Sequence, residues 1–412
     1  MGLLDYFHLP PDPIVSFRLD SHRPFGPGSP VSGLLVLEVP PDPKAKTQPP
    51  PPRQINTAEI TFYGRAATAT TRSESTGNNQ TRTIYYKDEV SLFQQPRLLA
   101  QGVSVDESSP FTSRFEFVFP YGADALPFPS PYKEGRRIHG IYDAAFDQRP
   151  LPPSFELGGG NNYAIVEYNM KVVCQFEGDK VPLEVLLPAP LEFAPPSSVP
   201  LHLSQRPQLK EFVQEAEHYS SSRLTGAEKS FKHSFRDKFS SSTPSVDVVL
   251  KVTMPSSLQP GASFPIYACM EVSKPSTPEI NLPVADIRIK KLEWHRLVYY
   301  RAPLDHPHSH VKEHEQSRTD ETKLNTLPES QWIEPRETIP GQDKKERSWY
   351  YPATFEARVP GDACMSFHTR NIDCGYGLEV KLETELCGKE FEYKVVTDVL
   401  VVPGGGAGGG MV

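Results

Sequence analysis

Proline limits the fold of this chain more than any other feature: it holds 44 of 412 positions, about twice its usual share of about 5%. Its ring removes a backbone donor and breaks helix interiors. A chain so punctuated is built from turns, sheet edges and short strands. Between the prolines the residues alternate or run β-rich, at "VSFRLD" (15–20), "AEITFYGRA" (58–66), "RTIYYKDEVSLF" (82–93), "RFEFVFP" (114–120) and "YAIVEYNMKVVCQFEGDKVPLEVLLP" (163–188). The pattern returns at "VDVVLKVTMP" (246–255), "DIRIKKLEWHRLVYY" (286–300), "TFEARVP" (354–360) and "YGLEVKLETELCGKEFEYKVVTDVLVVP" (376–403). Strands separated by turn signals, with no helices alternating between them, predict an all-β chain of antiparallel, immunoglobulin-like sandwiches.

The pattern is written twice. "PGSPVSGLLVLEV" (27–39) matches "PGASFPIYACMEV" (260–272), and "INTAEITFYG" and "INLPVADIRI" follow 28 and 20 residues after Pro27 and Pro260. "RFEFVFP" answers "TFEARVP"; Tyr163 precedes Cys174 by eleven residues, as Tyr376 precedes Cys387, and each cysteine leads into a hairpin. Landmarks in one order predict two copies of one sandwich. Pro27-Gly28 and Pro260-Gly261 are then equivalent turns, glycine accepting positive φ and proline fixing the entry. The expected boundaries are a leader at 1–13, a sandwich at 14–190, a linker with short helices at 191–245, a sandwich at 246–403 and a Gly-rich tail at 404–412.

A net charge of −8 argues against nucleic acid as a partner. "MGLLDYFHLPPDP" has no basic start and no sustained apolar segment, which predicts no secretory signal, and no later window is apolar enough to cross a bilayer. Gly2 lacks the Ser or Thr of a myristoylation site, since Tyr6 stands there. Cys174, Cys269, Cys364, Cys374 and Cys387 are odd in number and scattered among strand-like segments, which predicts reduced thiols in a cytoplasmic protein. Asn79-Gln80-Thr81 matches a glycosylation acceptor, but a cytoplasmic chain does not meet that enzyme.

Two segments of the linker read as helix. In "QLKEFVQEAEHY", Leu209, Phe212, Val213 and Ala216 have the spacing of one helix face. In "RLTGAEKSFKHSFRDKF", Phe231, Phe235 and Phe239 recur every fourth residue among Arg223, Lys229, Lys232, Arg236 and Lys238. That stripe of rings among cations suits an anionic membrane or an acidic partner; the alternative is that the rings pack the linker onto a sandwich. Residues 40–54, 72–82 and 303–347 read as long irregular loops.

Several of these stretches resemble a known family. "PGSPVSGLLVLEV" followed by "AEITFYGRA" resembles the opening of an arrestin N-terminal domain, and "LPPSFE" (151–156) before "NNYAIVEYNMKVVC" resembles its late signature. "VTMPSSLQPGASFPIY" resembles the start of an arrestin C-terminal domain. The resemblance covers most of residues 14–188 and 246–403, and the proline-rich loops are most similar to fungal arrestin-related proteins. It implies two arrestin-type sandwiches and a non-catalytic adaptor without cofactors. Such an adaptor binds membrane-protein cargo (transporters or receptors), recruits a HECT-type ubiquitin ligase through Pro-Pro-x-Tyr, and works from the cytoplasm at the plasma membrane or endosomes. This chain has no Pro-Pro-x-Tyr; Pro129-Ser130-Pro131-Tyr132 comes nearest as a WW-domain ligand, but it has serine in the second position and turn chemistry favours reading it as an ordinary turn. Ligase recruitment would then be direct, through that weak match, or pass through another adaptor.

Enzyme readings are weaker. "DHPHSHVKEHEQ" groups His306, His308, His310 and His314, a density that can bind zinc, with His310 and His314 at helical i, i+4 spacing. The segment is polar, flanked by prolines and lacks the zinc-protease pattern, so it reads as an exposed loop and no metal site is expected. "ELGGGNNYA" lacks the end of a phosphate loop, and no serine sits in a nucleophile elbow. The competing readings are an arrestin-fold coat or retromer-like subunit of a sorting complex and a metal-dependent hydrolase.

Overall fold

A computed structural model describes residues 13–22, 24–40, 52–75, 80–106, 108–124, 150–194, 208–225, 243–277, 279–303, 313–338 and 347–402. The chain forms two compact units, one of Met1–Pro196 with Tyr299–Gln316 and Phe367–Asp373, the other of Ser197–Val298, Ser317–Ser366 and Cys374–Val412.

The first half of the chain gives β1 (Ile14–Leu19), β2 (Pro30–Glu38), β3 (Arg53–Ser75), β4 (Thr81–Val105), β5 (Phe111–Val118), β6 (Phe155–Gly159), β7 (Asn162–Phe176) and β8 (Leu183–Leu186). One antiparallel sheet has the order β1-β2-β5, and a second runs β4-β3-β7-β6 with β8 also on β7. Alternation puts one face of each strand inward, and among the buried residues there is a cluster of aromatic rings with aliphatic neighbours such as Leu35, Ile60 and Val172. The Phe62 ring on β3 lies 4.9 Å from Phe93, 5.6 Å from Phe117 and 4.8 Å from Phe119, joining the two sheets. Edge-to-face rings of this kind add to the burial of their area.

The second half gives β9 (Leu209–Val213), β10 (Glu217–Ser220), β11 (Ser245–Pro255), β12 (Ser257–Leu258), β13 (Ser263–Ser273), β14 (Ala285–Pro303), β15 (Glu313–Lys323), β16 (Thr326–Leu327), β17 (Ser330–Ile333), β18 (Arg336–Thr338), β19 (Ser348–Arg358), β20 (Phe367–His368), β21 (Ile372–Leu386) and β22 (Lys389–Val401). One sheet contains β11-β13-β19, the other β22-β21-β14-β15. The inward face is mainly aliphatic: Val248, Leu250, Ile266, Met270, Leu378, Val380 and Leu382 are buried.

Strand for strand, the two plans repeat. The order β1-β2-β5 corresponds to β11-β13-β19, and β8-β7-β3-β4 corresponds to β22-β21-β14-β15. The Pro-Gly turns fall at the same position in each. Ser29 N donates to Gly26 O (3.0 Å) and Ala262 N to Gln259 O (3.1 Å), with Gly28 at φ 74° and Gly261 at φ 69°. Proline second and positive φ third is the chemistry of a type II turn. Directly after each turn, Pro30 pairs with Val118 and Ser263 with Arg358.

Four sequence expectations change. The segment at 209–216 is not helix: Leu209–Val213 form β9, which pairs antiparallel with β11, Val213 opposite Lys251, and 214–216 connect it to β10. The helical face found no core to cover, since Leu209 and Val213 are half exposed, while the edge of β11 supplies ladder bonds. The stretch 303–347 holds β15 to β18, so it is not a continuous loop. Residues 72–75 and 81–82 extend the β3–β4 ladder, Ser75 opposite Thr81. Finally, Cys174 and Cys387 are not equivalent. Cys174 lies within β7 opposite Leu183, whereas Cys387 sits in the β21–β22 turn at φ 52°. The turns themselves do match, with Gly178 at φ 83° and Gly388 at φ 84°.

Candidate functional site

The sequence candidates divide by placement. Lys229, Phe231, Lys232, Phe235, Arg236, Lys238 and Phe239 lie outside the described residues, as do Pro129, Pro131, Tyr132, His306, His308 and His310. Arg223 is described and belongs to a 3-10 turn, Ser222–Thr225. Its guanidinium Nη1 donates to the Cys387 carbonyl (3.1 Å), and the Tyr219 hydroxyl reaches the same oxygen (3.3 Å). Arg223 therefore clamps a hairpin turn. His314 is on β15 and half buried rather than in an exposed loop; its ring stacks on Tyr86 at 5.1 Å and its Nδ1 lies 3.0 Å from Thr70 Oγ1. Burial pushes its pKa down, the state of an imidazole packed on a ring.

Titratable chemistry gathers in the second unit, at residues that belong to no recognised motif. β21 alternates so that Cys374 and Tyr376 share the buried face with Leu378 and Val380. Trp294 on β14 stacks on the Tyr376 ring at 4.9 Å. Cys364, in the loop after β19, brings its sulfur 3.7 Å from Cys374 Sγ and 3.1 Å from the Tyr376 hydroxyl. Arg296, two residues beyond Trp294, is held by Asp320, its Nε 3.0 Å from Oδ2.

The electrostatics of this cluster favour a thiolate at Cys364. The hydrogen bond from Cys374, helped by Tyr376 and the Arg296 charge, overrides burial and brings the thiol down to about 7. Burial, with the nearby thiols, pushes the Tyr376 phenol well up, so it stays protonated and donates. The other thiols differ: burial raises Cys174 and Cys387 to about 11 and also raises Cys269. No sequence spacing announced the cluster, because its two sulfurs approach through a loop and a strand; the nearest signal was two cysteines ten residues apart.

The outer face of the same sheet carries an ionic carpet. Glu383, 1% exposed, is held by Arg288 and Lys290. Glu379 meets Lys291 (3.0 Å) and Lys394 (2.9 Å), and Glu392 meets Lys381 (2.8 Å). Beside them, Glu293, His295 and Glu321 bring ligand atoms within 4.8 Å of one another. Lys291 Nζ sits 2.7 Å from Glu293, so a lysine already supplies the cation a metal would bring.

No family model matches the chain, and no curated protein matches it. Among solved structures it is similar to Spo0M, a sporulation control protein from Bacillus subtilis, at 9% identity and a TM-score of 0.24, covering 63% of this chain and 79% of that one. It is also similar to dimeric latent PorU from Porphyromonas gingivalis, at 9% identity and a TM-score of 0.21, covering 95% of this chain and 34% of that one. Likeness at this level assigns no family. Among the described residues, no helix is long and apolar enough to cross a membrane.

Proposed function

We propose that the chain is a non-catalytic adaptor of arrestin-like build, which binds transporters or receptors at the cytosolic face of a membrane and helps direct their ubiquitin-dependent endocytosis or trafficking. The observation that carries this reading is the repetition, in which two sandwiches share one strand order and a Pro-Gly turn leads into the equivalent strands β2 and β13. Such a framework offers loops and sheet surfaces for recognition, and the sequence resemblance supplies the class of partner. Since the chain lacks Pro-Pro-x-Tyr, a HECT-type ligase would be reached through a second adaptor.

Crosslinking the protein to its neighbours in its own cells tests this. The expected result is substoichiometric capture of membrane transporters or receptors, with a ligase following indirectly. Recovery in a fixed-ratio complex without such cargo would replace the adaptor by a coat or retromer-like subunit. Membrane contact is tested separately with anionic vesicles. Changing Lys229, Lys232 and Arg236 to glutamate should abolish co-sedimentation, because each basic residue near such a surface contributes about 1 kcal/mol. Retained binding would leave residues 223–239 as a packed connector.

A further inference from the structure

We propose that Cys364 and Cys374 form a peroxide-responsive dithiol, which closes to an intramolecular disulfide. Their sulfurs are 3.7 Å apart, and the Tyr376 hydroxyl lies 3.1 Å from Cys364 Sγ. The two cysteines are unequal in access: Cys374 is wholly buried on β21, while Cys364 is half buried in the loop that follows β19. That asymmetry assigns the roles. The more exposed cysteine, Cys364, is the one placed to attack peroxide, and the buried Cys374 resolves what forms there.

The chemistry balances with hydrogen peroxide as oxidant. The Cys364 thiolate attacks one peroxide oxygen, the S–O bond forms as O–O breaks, and the departing hydroxide takes a proton to leave as water. Cys374 sulfur then attacks the sulfenic sulfur of Cys364. The S–S bond forms, S–O breaks, and a second water leaves with the Cys374 proton. Two thiols are oxidised by two electrons and one peroxide is reduced to two waters. A thiolate next to a resolving thiol is the arrangement that peroxide selects. Arg296 and the Tyr376 hydroxyl, which favour negative charge on Cys364, hold the attacking form. Arg296 is kept in place by Asp320. In contrast, Cys269 and Cys387 have thiols that burial raises, so they remain reduced under the same exposure.

The sequence provides a direct readout, because Arg370 lies between the two cysteines. Trypsin releases residues 359–370 and 371–381 as separate peptides, and only a Cys364–Cys374 disulfide joins them. The full-length protein is exposed to hydrogen peroxide, blocked with iodoacetamide and digested without reductant. The joined peptide is expected as the main oxidised species, and dithiothreitol should separate it. In Cys374→Ser, dimedone should trap a sulfenic acid on Cys364, and on no other cysteine. Peroxide that leaves both peptides separate, or carries Cys364 on to sulfinic acid in the unmodified chain, would overturn the proposal. So would dimedone labelling spread evenly over the five cysteines. The peptide readout in the unmodified protein decides the matter even if a variant fails to fold.

Discussion

Each sandwich carries a buried tyrosine on a matching strand, Tyr168 on β7 and Tyr376 on β21, and the two hydroxyls end on different chemistry. Tyr168 donates to the Pro152 carbonyl at 2.6 Å, and its ring lies among Phe93, Phe119 and Phe193. Tyr376 is stacked on Trp294 and reaches a thiol. A carbonyl only accepts, so the first hydroxyl anchors the strand to one segment. A thiol can donate, accept or ionise, so the second belongs to a group with more than one chemical state. Burial pushes both phenols up, and both serve as donors. One framework, used twice, thus holds a fixed contact in one copy and a reactive one in the other.

The comparison rests first on equal burial. Removing either ring, by Tyr168→Ala or Tyr376→Ala, should cost about 3–5 kcal/mol, the range for a large aromatic in a close-packed core. Trp294, Trp332 and Trp349, the three tryptophans, all lie in the second unit. Tryptophan emission therefore follows that unit, while circular dichroism in urea follows both. A loss confined to one variant would break the equivalence of the two positions.

A second difference is electrostatic and appears in acid. Lys290 holds the Glu383 carboxyl low by hydrogen bonding, Lys394 does the same for Glu379, and Lys381 with Lys290 holds Glu392 at about 2. These groups have folded pKa values below their unfolded ones. The stability they contribute is complete above an unfolded pKa of about 4.3 and is lost as the pH falls toward 2. Tryptophan emission should report weakening of the second unit across that window. Glu383→Gln should remove about 1–2 kcal/mol at pH 7, since its partners on the surface regain water, and should flatten the acid response. An unchanged acid profile in that variant would show that the carpet does not control it.

The Pro-Gly turns give a smaller test in which the two copies should agree. Gly28→Ala and Gly261→Ala each place a side chain at positive φ, at about 1–2 kcal/mol. A Cβ at Gly261 meets nothing closer than 3.7 Å, whereas one at Gly28 meets the Tyr121 hydroxyl at 2.6 Å. Tyr121 is 76% exposed and can swing away, so the two melting shifts should be alike. A much larger loss for Gly28→Ala would mean that Tyr121 is fixed.

The framework was legible in the sequence because alternation and turn chemistry are local. "PGSPVSGLLVLEV" and "PGASFPIYACMEV" state their turn and buried face within a dozen residues, and β2 and β13 follow them. The helix expected at 209–216 failed for the opposite reason, since its strand conformation comes from an edge offered by β11, far away in sequence. The Cys174 and Cys387 landmark failed because equal spacing from a tyrosine does not fix register, which the hairpin turns set. The thiol cluster was illegible for a related reason. Nothing in "GDACMSFHTRNIDCGYG" reveals that the loop folds back over the strand, and Trp294 and Arg296 come from elsewhere in the chain.

The finest test removes only the two hydroxyls. Tyr168→Phe leaves the Pro152 carbonyl without its donor and should cost about 1 kcal/mol; it should leave thiol chemistry alone. Tyr376→Phe abandons a sulfur which, below the thiol's pKa, is a weak acceptor that needs no partner, so at acidic pH its effect on stability should be smaller still. Its effect on Cys364 should be plain, because the thiol is held at about 7 first by Cys374 and then by the tyrosine, against burial. Without the tyrosine donor, burial gains and the pKa rises. Iodoacetamide reacts with the thiolate, so the pH midpoint of Cys364 alkylation, followed on the peptide of residues 359–370, should move up in Tyr376→Phe and stay put in Tyr168→Phe. A midpoint that stays put in both would reduce Tyr376 to the same anchoring role as Tyr168, and a midpoint that moves in both would show that the thiol responds to loosening of the fold rather than to its own donor.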